Sequence, residues 1–267
     1  SEYKSIDWNY KLYGPIKEQK LPVCGNGIVE GNEQCDGSAV YESCSELGFV
    51  AGTVGCNSDC TYNTTMCAPH LENCNETGKT CVITACEQLS EINNFREVVR
   101  GVETDNLSGN YILGNDIDCT NKSVPIIGFD RGIYTYTRPF NGTFDGNGYS
   151  IKGINIATNI TYENSWADVR VGLFRELGTK ANIKNLTLSD VNIIGAVHVG
   201  ALAGRGQGNI HNVKVTGTIK GGRQVGGLFG SVEQNAINLN FSSFDGNVTA
   251  KQNAGALIGN CVTGTIT

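Results

Sequence analysis

One phrase returns four times along the chain: Val171-Gly-Leu-Phe, Val199-Gly-Ala-Leu-Ala-Gly, Val225-Gly-Gly-Leu-Phe-Gly and Ala254-Gly-Ala-Leu-Ile-Gly. Its first residues stand 28, 26 and 29 positions apart. A second phrase runs beside it as Ile183-Lys-Asn-Leu-Thr-Leu, Ile210-His-Asn-Val-Lys-Val and Ala236-Ile-Asn-Leu-Asn-Phe. The asparagines of this phrase, Asn185, Asn212 and Asn238, follow one another at 27 and 26 positions. Two phrases sharing a spacing define a structural repeat. Leu186 and Leu188, Val213 and Val215, and Leu239 and Phe241 alternate with polar residues, which is the period of a strand with one buried face.

A repeat of 26–29 residues holding two or three short strands has too little apolar surface to close a core by itself. Stacking solves this, because each coil pairs with its neighbours at a step of about 4.8 Å and the inward side chains join into columns. The expected fold class is mainly β: a right-handed parallel β-helix (β-solenoid) over residues 86–267. Glycines are expected at its corners, and Asn185, Asn212 and Asn238 in one amide ladder. Thr84-Ala85-Cys86-Glu87 has the form of a capping box. Leu89, Ile92, Phe95 and Val99 follow at helical spacing up to Gly101, so a helix near 86–100 is expected to cap the first coil. The stretch from Asn110 to Cys119 reads as a strand, with Cys86 and Cys119 placed to tie helix to strand.

Composition agrees. With 35 glycines among 267 residues and 17% charged residues, the chain is unlike a helical bundle or coiled coil. Its net charge of −6, without Lys/Arg clusters, speaks against nucleic-acid binding. No apolar run approaches the ~20 residues of a membrane span. The chain starts at Ser1 with no signal-peptide pattern, and reads as a processed mature form.

Eleven cysteines set the compartment, nine of them between residues 24 and 86. Such clustering staples a small fold that lacks a core, and it requires an extracellular or cell-surface setting. Cys24, Cys35, Cys44, Cys56, Cys60, Cys67, Cys74, Cys81, Cys86 and Cys119 are expected in disulfides, with Cys261 left over. Cys74 and Cys81 are close enough for a small loop, whereas the six cysteines from Cys24 to Cys67 leave their pairing open. Glycosylation sequons fall at Asn63, Asn75, Asn106, Asn121, Asn141, Asn159, Asn185, Asn240 and Asn247. The domain order is therefore an aromatic N-terminal arm at 1–23, a cysteine-rich module at 24–85 and the capped β-helix at 86–267.

The opening Cys24-Gly-Asn-Gly-Ile-Val-Glu-Gly-Asn-Glu-Gln-Cys-Asp-Gly resembles the cysteine-rich repeats of secreted and surface proteins of myxobacteria and archaea. Many of those repeats carry a second Asp after Asp36, where this chain has Gly37. The phrase Val225-Gly-Gly-Leu-Phe-Gly, with the lead-in over 140–156, resembles the GLUG repeats of bacterial and archaeal surface proteins. That resemblance implies adhesins and a non-catalytic repeat.

Chemistry-bearing residues are sparse. Glu30, Glu33 and Asp36, with the carbonyl of Asn26, offer hard oxygen ligands for calcium near a tight turn; no other cofactor is indicated. His70, His198 and His211 belong to no metalloprotease motif, and the latter two are expected to face solvent. Asp116 and Asp118 lie on one strand face, as a glycosidase pair would, but a polar turn flank explains them better. The chain therefore reads as non-enzymatic: a cell-surface adhesin, or a subunit that self-associates into a filament or layer through the arm and through a coil left open at Thr267. The second class is a module binding a cell-surface carbohydrate or protein, and a polysaccharide-degrading β-helix enzyme ranks below both.

Overall fold

Strand alternation, corner glycines and a fixed repeat leave the chain one way to bury its apolar residues, which is to wind into stacked coils. A computed structural model describes residues 22–261 apart from 73, 94, 100–101, 131–136, 159–168 and 233–236. All but the last two residues of the expected N-terminal arm lie outside that set. The chain divides into two compact units, one running to Leu47 and resuming at Thr53–Cys67, the other comprising Gly48–Gly52 and everything from Ala68 onward.

The second unit is a parallel β-solenoid of about five turns. Successive rungs Cys81–Ile83, Asn110–Leu113, Thr143–Asp145, Asn182–Gly200, Gly208–Gly226 and Ile237–Asn240 pair in parallel in one sheet. A second sheet stacks Phe174–Glu176, Ala203–Arg205, Phe229–Val232 and Ile258–Cys261. The solenoid thus takes up Cys81–Ile83, ahead of the boundary expected at 85/86.

Register makes the apolar columns explicit. Tyr111, Phe144, Ile183, Ile210 and Leu239 stack on one another, as do Ile117, Ile151, Leu188, Val215 and Phe244. Phe144 also meets Phe174 edge-on at 5.7 Å between ring centres. Each such side chain removed from water contributes roughly 1.5–3 kcal/mol.

The recurring phrase is a corner at which two backbones touch. A Cβ on Gly200, Gly226 or Gly255 would fall 2.5, 2.2 or 1.9 Å from the carbonyl oxygen three residues ahead. The last glycine of each phrase meets the coil below: a Cβ on Gly204 would lie 2.6 Å from Val171 N, on Gly230 2.2 Å from His198 C, and on Gly259 2.4 Å from Val225 N. A side chain at the first position would collide with its own turn, and one at the last would push the coils apart.

The asparagine ladder differs from expectation. Asn212 Nδ2 donates to Asn185 Oδ1 at 3.2 Å, and Asn185 Nδ2 to Asp145 Oδ1 at 3.2 Å. Asn238, however, pairs with Asn209, and its Nδ2 donates to Asn209 Oδ1 at 2.8 Å. The third coil is therefore offset by three residues from the phrase alignment. Asn185, Asn212 and Phe241 share the left-handed corner, with φ of 51°, 54° and 52°. Phe241, expected inward, is 82% exposed and meets His211 edge-on at 5.3 Å.

The expected helix at 86–100 is shorter and tighter. A 3-10 helix spans Cys86–Asn93, and Phe95–Val99 then forms a strand antiparallel to Val102–Asp105. The β-branched pairs Val98-Val99 and Val102/Thr104 favour that hairpin over a further helical turn. Gln88, not Glu87, closes the helix start: its Oε1 accepts from Thr84 N at 2.7 Å and Ala85 N at 3.0 Å, while its Nε2 donates to Pro69 O at 2.7 Å. Glu87 instead pairs with Lys122 at 2.9 Å. Leu89 and Ile92 are fully buried in the solenoid core. Cys86 is bonded to Cys119, and the strand read over 110–119 breaks into Asn110–Leu113 and Ile117–Asp118.

The first unit is held by three disulfides, Cys24–Cys60, Cys35–Cys56 and Cys44–Cys67. The solenoid unit carries Cys74–Cys81 besides Cys86–Cys119, and Cys261 is free and exposed.

Candidate functional site

The carboxylates singled out for calcium are drawn into the backbone. Asp36 is fully buried. Its oxygens accept from Gly25 N at 2.9 Å and Asn26 N at 3.1 Å. Glu30 Oε1 accepts from Asn26 Nδ2 at 3.0 Å, and Glu33 Oε2 from Glu30 N at 3.0 Å. Glu33 and Asp36 do approach the sulfur of Cys60 within 4.8 Å, but that sulfur is in a disulfide and is no thiolate ligand. The arrangement is a turn closed by a buried carboxylate.

Each histidine has its own partner. His70 Nδ1 lies 2.5 Å from Glu91 Oε1, and Glu91 Oε2 accepts from Leu71 N at 2.6 Å, so this pair fastens the entry segment to the first coil. His198, expected to face solvent, is 7% exposed, and its Nδ1 lies 2.8 Å from Ser231 Oγ. The reason is backbone: His198 sits at a corner with φ of 49°, where the period-two alternation stops. Ser231 is wholly buried, so the Ser–His contact is closed to any substrate. His211 lies against the exposed ring of Phe241.

Asp116 and Asp118 are both exposed and both engaged. Asp116 Oδ1 accepts from Ser150 N at 2.7 Å and Ser150 Oγ at 2.8 Å, and these bonds hold its carboxyl below the usual carboxylate range. Thr120, through its hydroxyl and its amide, does the same for Asp118, helped by Lys152 and Lys122. A glycosidase acid must hold its proton near neutrality, and neither residue is placed to do so.

What the structure does bring together is an open polar cleft of about 770 Å³ on one flank of the solenoid. Its walls come from the turn Thr120–Ser123 and from two rungs carrying Lys152, Asn155 and Asn192. Asn192 Nδ2 donates to Asn155 Oδ1 at 2.9 Å, and Lys152 Nζ lies 3.6 Å from Asp190. These residues escaped the sequence reading, although Ile151-Lys-Gly-Ile-Asn-Ile and Leu188-Ser-Asp-Val-Asn-Ile end alike and so announce the Asn155–Asn192 step.

The family described as the M26 IgA1-specific metallo-endopeptidase N-terminal region matches residues 84–217. Halomucin of Haloquadratum walsbyi is 39% identical over 110 residues, 41% of this chain and 1% of its own. An immunoglobulin A1 protease of Streptococcus sanguinis is 29% identical over 185 residues, 64% of this chain and 9% of its own. The zinc metalloprotease ZmpC of Streptococcus pneumoniae is 28% identical over 217 residues, 76% of this chain and 11% of its own. The chain thus spans about a tenth or less of these relatives. No solved structure matches. The family's description as a metallo-endopeptidase region, with zinc in the name of ZmpC, raises a zinc centre, and the described residues do not fit one: the three histidines stand with separate partners, and no His-Glu-x-x-His occurs in the chain.

Proposed function

The chain belongs to the M26 IgA1-specific metallo-endopeptidase N-terminal region family, and from that premise we propose that it is an extracellular, non-catalytic β-solenoid segment of a surface or secreted protein. In this role it is a stiff spacer that displays neighbouring parts of the protein and presents its own flank to ligands at the cell surface. The observation that carries this reading is the stack itself. Coil upon coil is joined by continuous ladder hydrogen bonds and amide columns, with no convergent set of reactive side chains among the described residues. Five disulfides support an oxidising compartment. The resemblance to cysteine-rich and GLUG repeats points the same way, toward an adhesin or filament subunit.

The test is direct. Purified chain incubated with immunoglobulin A1 and zinc is expected to leave the antibody intact. It is also expected to bind to intact host cells or to their surface glycans. Cleavage abolished by a chelator would overturn the non-catalytic assignment.

A second reading, end-to-end association, draws on Ser243–Gly255, which pairs with Gly208–Gly226 on one side and with no other strand among the described residues. An edge of that kind is a template for a further strand. Concentration-dependent sedimentation supports it, and a monomer at every concentration refutes it.

A further inference from the structure

The sequons divide into closed and open sets by the chemistry of their amides. Asn106 is buried and its Nδ2 donates to Glu91 O at 3.2 Å. Asn141 Nδ2 reaches Pro139 O at 3.4 Å while its Oδ1 accepts from Lys180 N at 3.3 Å, with the side chain against Gly178. Asn185 is committed at both ends to the ladder of Asp145 and Asn212. A sugar on any of these nitrogens would break contacts that the fold itself makes. Asn240 belongs to a strand, and its Ser242 hydroxyl is held between Asn240 O and Val213 N.

Asn121 is the opposite case. It is exposed, at φ of 61°, on a turn closed by Lys122 N donating to Cys119 O at 3.0 Å and by Thr120 N donating to Asp118 Oδ1 at 2.8 Å. The Cys86–Cys119 disulfide and the Lys122–Glu87 ion pair anchor the same turn. The side chains of Asn121 and Ser123, first and third of the sequon, have no hydrogen-bond partner among the described residues. The turn forms one wall of the 770 Å³ cleft, whose other wall offers the amides of Asn155 and Asn192 and the ammonium of Lys152. That volume is within the range of small-ligand sites. Amides and an ammonium suit hydroxyl and acetamido groups, and the cleft begins at the acceptor nitrogen's own residue.

We propose that Asn121 is an N-glycan acceptor and that the first sugars of its glycan lie in this cleft. The inference rests on the extracellular reading above. In the transfer, Asn121 Nδ2 attacks the anomeric carbon of a polyprenyl-pyrophosphate-linked oligosaccharide. The N–C bond forms, the bond from that carbon to the phosphate oxygen breaks, and the lipid pyrophosphate leaves. One amide proton passes to a base of the transferring enzyme, and no redox change occurs. Asn75 is likewise exposed, in the loop closed by Cys74–Cys81, but it does not line this cleft.

The whole chain, secreted from a eukaryotic host that supplies this donor, tests the idea by site-resolved mass spectrometry. Asn121 is expected to be occupied, and Asn106, Asn141 and Asn185 bare in the folded material. A bare Asn121, or a glycan on Asn185 in folded protein, overturns it. Acylation of Lys152 is then compared before and after enzymatic removal of the glycan. A several-fold faster reaction after removal is expected, and equal rates overturn the seat in the cleft. A secreted chain with its disulfides formed but Asn121 bare overturns this inference alone, whereas a chain whose cysteines stay reduced overturns the extracellular reading as well.

Discussion

Phe241 occupies the one ladder corner where chemistry and geometry disagree. Its φ of 52° is a conformation that asparagine tolerates and that costs a bulky side chain roughly 1–2 kcal/mol. Asn185 and Asn212 hold the equivalent corners below it. Phe241→Asn is therefore expected to extend the amide column and to raise stability by about 1 kcal/mol, read as a higher Tm. An unchanged or lower Tm would show that the contact with His211 matters more than the strain. A second residue-scale prediction concerns acid. Burial pushes the Asp145 carboxyl up, but Asn147 N–H, Lys184 and Asn185 outweigh it and hold it below its ordinary range, as Ser150 does for Asp116 and Thr120 for Asp118. Groups depressed in the folded state stabilise it above the unfolded pKa, about 3.9 for Asp, and lose that contribution as pH falls through the folded value. Thermal melts should therefore be flat from neutrality to about pH 5 and fall below pH 4. Asp145→Asn should lower Tm at pH 7 and flatten that acid limb.

At the scale of elements, the corners carry the repeat. Gly226 has Phe229 O 2.2 Å from where a Cβ would stand, and Gly230 has His198 C at 2.2 Å. Gly226→Ala is expected to cost about 1–3 kcal/mol and lower Tm by several degrees, whereas Gly78→Ala, in open space at φ of 81°, should cost only its local backbone strain. Equal losses at both sites would mean that the corners are not close-packed. This level was the most legible in the sequence. The valine–glycine phrase and the two-residue alternation of Leu186 and Leu188 follow from sterics and burial, which act locally. What escaped was register in the third coil. Ile237-Asn-Leu-Asn-Phe offers asparagine at 238 and at 240, and only the pairing of Leu239 with Ile210 tells which step of the coil each occupies. The helix over 86–100 went astray for a related reason. Helical spacing and a β-hairpin both place Phe95 and Val99 at acceptable positions, and tertiary pairing with Val102–Asp105 decides between them. The cleft was hidden because its walls come from three separate turns of chain.

The whole molecule is two units with different sources of stability. The first is stapled by three disulfides around a buried Asp36, while the solenoid rests on columns of apolar side chains and on ladder hydrogen bonds. Its proposed role as a stiff extracellular segment requires that the coils lie directly on one another in the observed register. Cysteine trapping reads that register with least inference, because a disulfide forms only when Cα atoms come within about 7 Å. Asn209→Cys combined with Asn238→Cys places two thiols on paired residues of adjacent rungs, and oxidation is expected to link them. Asn212→Cys combined with Asn238→Cys, the pair that the phrase alignment alone would stack, is expected to stay unlinked. Linkage in the second pair and not the first would contradict the stacking described here, and the spacer role would go with it.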